Sequence, residues 1–318
     1  MSYFKYVAVT GASGYIGGQT CIELKTHGYQ IIGIDLRPLP EHLKPFVNHF
    51  VVKNASDAAD LISDVDGIVH CAGTSLVGPS SNDPALYYQN NVGATARMLE
   101  ILNWNQWRGR FVFSSSAAVY GSPKSVPISE NAPRWPVNVY GKSKLYCEEL
   151  ISDSARAYKF TAASLRYFNA CGADLKGRHG QEPNATHIFA RVFEAIKNGR
   201  PIEIYGDDYS TPDGTCVRDY IHVVDIARAH RLALEKSLPI GNNIFNIGTK
   251  KGHSVLDIVK ETQRVLGQTA EIVVKPRRIG DPAELVSNTD FFNSYFQWSP
   301  EDSDLSTIIK SLKKWYHV

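Results

Sequence analysis

Tyr140 and Lys144 stand four residues apart in the run Tyr140-Gly141-Lys142-Ser143-Lys144, inside an apolar periodicity that predicts a helix over Val137 to Tyr158. A phenol and an ammonium on one helix face can serve a single reaction centre. A free phenol is a poor base at neutral pH, and roughly 4 kcal/mol of differential stabilisation of the phenolate is needed to change that. A lysine at about 5 Å supplies roughly 3 kcal/mol of it at an effective dielectric near 20, and an oxidised nicotinamide ring can add the rest. Taken alone, the pattern equally describes an exposed helix face with aromatic and basic residues. Ser114-Ser115-Ser116 supplies a third group. It ends a predicted strand, Arg110 to Ser114, at the carboxyl edge where the Tyr140 helix begins, so Ser116 can hydrogen-bond a reacting hydroxyl. Serine runs also end strands and cap helices, so the combination carries the argument.

A second chemistry is written near the start. Thr10-Gly11-Ala12-Ser13-Gly14-Tyr15-Ile16-Gly17 follows a strand and opens a helix, with the spacing G-x-x-G-x-x-G. Glycines let backbone approach a pyrophosphate, and the helix N-terminus offers unpaired amides and a positive dipole end. A tight strand-to-helix turn needs only one or two of the three. Asp35 closes the second predicted strand about twenty residues on, where a carboxylate can bind a ribose 2′-OH; this selects NAD over NADP. Arg37 can pair a 2′-phosphate or be a solvated loop charge, but Asp35 would repel that phosphate.

The elements that must position these groups alternate. Strands are predicted at Tyr6 to Thr10, Gln30 to Asp35, His49 to Lys53, Gly67 to His70, Arg110 to Ser114, Thr161 to Arg166 and Asn243 to Ile247. Helices are predicted at Tyr15 to His27, Pro84 to Asn103 and Val137 to Tyr158. This is an α/β chain with a doubly wound, mostly parallel Rossmann-type sheet. Residues 1–171, with 214–248 returning to them, form the NAD-binding part. Residues 172–213 and 249–318 form a smaller substrate-binding lobe, expected to close over the carboxyl edge of the sheet.

Composition narrows the partners. A net charge of +2 over 318 residues argues for neither nucleic acid nor an anionic membrane surface. No run of eighteen apolar residues and no cleavable signal is read, so the expected setting is the cytoplasm. The five cysteines are scattered without a C-x-x-C pair and read as reduced, buried thiols, and the ten histidines show no metal-ligand spacing. No metal is expected.

Along nearly its whole length the chain resembles the UDP-galactose 4-epimerases of the extended short-chain dehydrogenase/reductase family. The resemblance lies in Thr10 to Gly17, His70 to Gly73, Asn90-Asn91-Val92, Ser114 to Gly121, Tyr140 to Lys144, Arg166 to Asn169, and above all Asp213 to Val223. Nucleotide-sugar 4,6-dehydratases usually carry Thr-Asp-Glu where this chain has Ser116-Ala117-Ala118. The resemblance implies Tyr140 as the acid/base, Lys144 as its electrostatic partner and nicotinamide-ribose ligand, and Ser116 as the third catalytic member. Cofactor residues would be Gly11, Gly14, Tyr15, Ile16, Gly17, Asp35, Asn54, Cys71, Ala72, Gly73, Asn91, Ser114 and Tyr167. The sugar nucleotide would meet Asn169, His187, Tyr205, Arg218, Arg278, Asp281 and Leu285. The two arginines suit a diphosphate, although Arg218 can instead be a structural partner of Asp219 or another carboxylate.

The implied activity is NAD-dependent 4-epimerisation of a UDP-hexose, UDP-galactose or UDP-glucose, through a bound 4-keto sugar. Three departures bear on the cofactor: Asn54 where an aspartate usually contacts the adenine, Ser75 where a lysine often meets phosphate, and Ala118 where a threonine is common. Leu285 falls where a bulky tyrosine restricts the sugar pocket in some members, and a smaller side chain there can admit the N-acetylated sugars UDP-GalNAc and UDP-GlcNAc. A homodimer through the Pro84 to Asn103 and Val137 to Tyr158 helices is also implied. Other nucleotide-sugar dehydrogenases, reductases or decarboxylases use the same groups, and a silent dinucleotide-binding regulator would keep only the glycine turn.

Overall fold

The computed structural model describes residues 5–182, 186–278 and 281–318. The chain begins β1 (Tyr6–Thr10), α1 (Tyr15–Thr26), β2 (Gln30–Asp35), β3 (His49–Val52), β4 (Gly67–His70), α2 (Pro84–Tyr87), α3 (Ala94–Trp104), β5 (Arg110–Ser116), α4 (Val139–Tyr158) and β6 (Thr161–Tyr167). It continues with β7 (Asn169–Cys171), α5 (Ile188–Lys197), β8 (Ile202–Tyr205), β9 (Val217–His222), α6 (Val223–Glu235) and β10 (Gly241–Ile247). The last elements are β11 (Gly252–Ser254), α7 (Val255–Leu266), β12 (Ile272–Lys275), β13 (Glu284–Leu285), α8 (Asp290–Phe296) and α9 (Leu305–Tyr316).

β1, β4 and the Phe111–Phe113 part of β5 are buried apolar runs because both faces of a parallel sheet are covered at its centre; with β2 and the half-buried edge strand β3 they make up the first five strands. They join β6 and β10 in a seven-stranded sheet of order β10-β6-β5-β4-β1-β2-β3. Every pairing from β3 to β6 is parallel. Ile68, Phe111, Phe113 and Ala162 of the strands pack with Met98 and Leu102 of α3 and with Ile151 and Ala155 of α4. The fold is α/β, a doubly wound Rossmann-type sheet, as the alternation of apolar runs and helical periods predicts. The helix expected over Pro84 to Asn103 is broken into α2, a π-helical turn at Tyr88–Gly93, and α3. One extra residue in such a turn re-aims the side chains after it, and these turns gather at functional sites.

Contacts divide the chain into two units. The first is 1–121, 133–167 and 226–245; the second is 122–132, 168–225 and 246–318. The joins therefore lie at Tyr167, Asp225 and Phe245 rather than at 171, 213 and 248, and 122–132 leaves the sheet-bearing part. Strand pairing is the reason. β9 pairs with β7, β11 and β13, all in the second unit. Ile128 N–H donates to Val286 O at 2.8 Å, and Asn288 N–H donates to Ile128 O at 2.8 Å. The second unit's core gathers Phe189 and Phe193 of α5, Ile258 of α7, and Ile308 and Leu312 of α9.

Two buried histidines brace the first unit. His70 bridges Thr10 Oγ1 (2.7 Å) and Thr95 Oγ1 (3.0 Å). His230 bridges Thr20 Oγ1 (2.9 Å) and the Tyr167 hydroxyl. Burial holds each imidazole down to about 3, with Lys144 adding to the effect at His70. The unfolded chain takes up these protons near pH 6.5 and the folded chain does not, so stability is full above that pH and falls as pH drops toward 3. Each histidine should cost about 2 kcal/mol at pH 5. Thermal melts at pH 7.5 and 5 are expected to show a smaller acid loss for His230→Gln than for the unaltered chain; equal losses would contradict the assignment.

Candidate active site

In the first unit, α1 starts at Gly14 with no side-chain cap and no acidic residue in its first turn, which leaves its amide end to an anion. Tyr15 and Ile16 are its first two residues. Gly11 has φ +71°, and a Cβ there would lie 2.8 Å from Ala72 N, so the loop after β1 and the loop after β4 touch through backbone. A Cβ on Gly14 would stand 3.1 Å from Gly11 O. Asp35 Oδ2 accepts Ser13 N–H at 3.1 Å and its Oδ1 accepts Arg37 N–H at 3.0 Å. The Arg37 guanidinium lies over this carboxylate, Nε 3.7 Å from Oδ1, and donates to Ser13 O at 3.3 Å. It is held by the very group that would repel a 2′-phosphate, which favours a free ribose hydroxyl. Asn54 Oδ1 accepts from the Ser56 amide and hydroxyl at 3.1 and 3.0 Å, a turn-capping role. An uncapped helix end, glycines that admit close backbone, and a carboxylate ending β2 together fit a dinucleotide.

The reacting groups sit at the next strand ends. Asn138 caps α4, its Oδ1 accepting Gly141 N–H at 2.8 Å. A Cβ on Gly141 would meet Ala118 O at 2.5 Å, so this glycine lets the helix press on the turn after β5 and carries Tyr140 there. Lys144 is 5% exposed. Its Nζ donates to Ser114 O at 2.8 Å and lies 4.8 Å from the Phe113 ring centroid and 5.9 Å from that of Tyr140. Ser116 Oγ accepts Ala118 N–H at 3.1 Å as N-cap of the short turn Ala117–Tyr120. That is the capping role its type suggests, and its hydroxyl proton is not used by the bond.

Asn91, on the π-helical turn, is 2% exposed. It accepts Thr74 N–H at 2.7 Å and donates to Thr74 O (3.1 Å) and Ser143 Oγ (2.9 Å). Ser143 in turn donates to Tyr140 O at 2.8 Å, which ties the Gly73 loop to the start of α4. A Cβ on Gly73 would come 2.8 Å from Asn91 Oδ1 and 4.0 Å from Lys144 Nζ. Cys71 and Ala72 complete this loop; burial pushes the Cys71 thiol up to about 12, against opposing effects of Lys144 and a Ser114 hydrogen bond. Tyr167 is 4% exposed, with its hydroxyl on His230.

The second unit holds the remaining expected residues in two groups. Arg218 Nη1 donates to Val217 O at 2.9 Å, and Nη2 stands 3.6 Å from Asp281 Oδ1. Leu285 is the register partner of Arg218 across β13 and β9, and Asn169 Nδ2 donates to Asp219 O at 3.1 Å. Asp219, fully buried, accepts from Thr249 N–H and Oγ1 (2.8 and 2.7 Å), Lys250 N–H (3.2 Å), and Ser287 N–H and Oγ (3.1 and 2.5 Å). Those donors, rather than Arg218, satisfy its oxygens. In the other group the Arg278 guanidinium stacks on the Tyr205 ring at 4.1 Å. The Tyr205 hydroxyl donates to Glu203 at 3.1 Å, and Arg191, absent from the sequence expectation, reaches that hydroxyl at 3.4 Å. His187 is the exposed N-cap residue of α5, one turn before Arg191.

Among the described residues no group of three or more His, Cys, Asp or Glu is placed to hold a metal ion, and no helix is long and apolar enough to cross a membrane.

Comparison with known proteins places this geometry. Residues 7–248 match the model of the NAD dependent epimerase/dehydratase family. The chain is 38% identical to the UDP-glucose 4-epimerase of Lacticaseibacillus casei over 321 residues, 98% of this chain and 96% of that one. Among solved structures, the UDP-glucose 4-epimerase of Brucella ovis in complex with NAD is similar at TM-score 0.90 and 37% identity, covering 96% of this chain and 97% of that chain. The UDP-Glc/GlcNAc 4-epimerase of Campylobacter jejuni is similar at TM-score 0.83 and 34% identity, covering 98% and 99%. With the family model spanning most of its length and close relatives matching it end to end, the chain belongs to the NAD dependent epimerase/dehydratase family.

Proposed function

We propose that this protein is an NAD-dependent isomerase that interconverts UDP-galactose and UDP-glucose by inversion at C4, through a bound 4-keto sugar. The observation that carries the reading is the buried Lys144 ammonium, fixed on Ser114 O at 2.8 Å beside the Tyr140 ring, on the strand that ends in Ser116. NAD, when bound, supplies the reversible two-electron oxidation at C4. Tyr140 as phenolate takes the 4′-hydroxyl proton and, as phenol, returns it; Lys144 favours the phenolate before the first event and after the second, and the Ser116 hydroxyl orients the sugar oxygen. The first unit holds the dinucleotide: the α1 amides at Gly14 to Gly17 take the pyrophosphate, Asp35 a ribose, and Cys71 to Gly73, Asn91, Ser114 and Tyr167 the remainder. The second unit holds the UDP-sugar. Arg218 and Arg278 bind the diphosphate, with Asn169, His187, Tyr205, Asp281 and Leu285 around the nucleoside and hexose. Strong charge on the diphosphate and few fixed bonds to the hexose let the sugar present either face.

The experiment is incubation of purified protein with UDP-galactose and no added NAD, followed by separation of the UDP-hexoses and assay of bound dinucleotide. UDP-glucose is expected, with no net NADH. Net NADH or CO₂ would point to a dehydrogenase or decarboxylase instead.

A reading for 2-acetamido sugars is favoured by Leu285, which packs in register with Arg218 and presents no ring to the sugar. Comparable kcat/KM for UDP-galactose and UDP-GalNAc is expected; no turnover of the latter would remove this reading. The proposal extends to a homodimer as the working form, supported by the exposed Trp104 and Tyr146 on α3 and α4, and to a cytoplasmic setting, supported by five free cysteines.

A further inference from the structure

Helix α4 grips two of the three serines that end β5, at successive points. Lys144 Nζ holds Ser114 O at 2.8 Å, and one turn later Glu148 Oε1 accepts from Ser115 Oγ at 2.5 Å. Tyr140, Lys144 and Glu148 follow one another at i, i+4 and i+8, so the helix face that carries the reacting groups carries this carboxylate too. Glu148 is also ion-paired, two bonds deep, with Arg166: Nε to Oε1 at 2.9 Å and Nη2 to Oε2 at 2.6 Å, both side chains 1% exposed. Arg166 is the register partner of Ser115 on the adjacent strand. Its Nη1 donates to the Tyr120 hydroxyl at 2.8 Å, and Tyr120 closes the turn that Ser116 caps. The pair thus touches the residue before Ser116, the turn after it, and the helix that bears Lys144.

Burying two charges seldom stabilises a fold more than an apolar pair of the same volume would. Burial by itself would lower the Arg166 pKa, but Glu148 and Tyr120 outweigh it and hold the guanidinium charged. What a two-pronged pair provides, and an apolar contact does not, is fixed distance and angle between groups on two strands and a helix. We propose that Glu148 and Arg166 are positioning residues for the epimerase reaction, setting Ser116 and Lys144 against Tyr140. The inference rests on the roles given to those three residues above.

Two variants test it. Ser115→Ala cuts the link between strand and pair and leaves the ion pair in place. Glu148→Leu with Arg166→Met removes the pair while keeping net charge and approximate volume. With UDP-galactose, Ser115→Ala is expected to lower kcat about tenfold, and the double variant about 100-fold, with KM within twofold and bound NAD retained. The acid limb of the kcat–pH profile of the double variant should move to higher pH, because a displaced ammonium stabilises the phenolate less and no charge has been added or lost. Thermal melts should leave both variants within a few degrees of the unaltered chain. Wild-type kcat in Ser115→Ala overturns the proposal, and so does a folded double variant with wild-type kcat and pH profile. Should the double variant not fold, Ser115→Ala decides alone. The unaltered chain and Tyr140→Phe run alongside: failure of the epimerase reading shows in the former, failure of the positioning role only in the variants.

Discussion

Tyr140→Phe is expected to lower kcat for UDP-galactose by about 1000-fold, while UDP binding and bound NAD stay near those of the unaltered chain. The substitution removes one oxygen and leaves the ring, so the contact with Lys144 at 5.9 Å from the centroid persists, as does the backbone link from Ser143 to Tyr140 O. The N-terminal turn of α4 rests on Asn138 and on the close approach of Gly141 to Ala118 O, neither of which involves the hydroxyl. Loss of the proton acceptor therefore acts on the chemical step alone. Stopped-flow or discontinuous assay of UDP-glucose formation, with calorimetric UDP binding on the same sample, separates the two effects. Turnover near normal would mean that another group moves the proton.

Gly17→Ala is expected to cost about 3 kcal/mol or more in stability and to release the dinucleotide. A Cβ at this position would sit 2.1 Å from Gly11 O and 2.7 Å from Gly11 C, both backbone, so the first turn of α1 must lift from the loop that receives it. That loop has no slack, since Gly11 itself lies against Ala72 N and Cys71 C. Gly28 offers the matched comparison. It has φ +87° with nothing within 4 Å of an added Cβ, so Gly28→Ala should pay only the left-handed strain of about 1 kcal/mol and keep its NAD. Thermal melts and dinucleotide content of the two purified variants check this; equal behaviour would contradict the role given to the turn.

The strands of the first unit are legible in the sequence because a doubly covered parallel strand must be an unbroken apolar run. β1, β2 and β4 match their expected limits to the residue. β5 runs two residues further than expected, through Ser115 to Ser116, and β6 one residue further, to Tyr167, because the pairs Ser115–Arg166 and Ser116–Tyr167 carry the ladder on through serines whose own preferences end strands. The π-helical turn at Tyr88–Gly93 leaves no mark on an apolar periodicity already tolerant of one residue. Tyr140, Lys144 and Ser116 were visible as types at meaningful spacing, whereas Glu148 and Arg166 were not. A glutamate on a helix reads as solvated and an arginine closing a predicted strand reads as an edge charge; only their meeting in space, 1% exposed each, makes them one feature. Its one sequence trace is the eight-residue interval from Tyr140. The fate of Arg218 was likewise undecidable from Arg218-Asp219-Tyr220, since alternating strand faces separate it from the neighbouring carboxylate.

The chain passes between its two units five times before the second is finished. The first unit needs 226–245 to complete its sheet, and 168–225 must be made before that segment exists. During synthesis β6 accordingly waits with an open edge until β10 emerges, so the nascent sheet is exposed to mispairing for the length of that insertion. A ribosome stalled after residue 225 would display β6 as an unpaired edge that proteases and chaperones can read, and one stalled well past 247 would display it paired with β10.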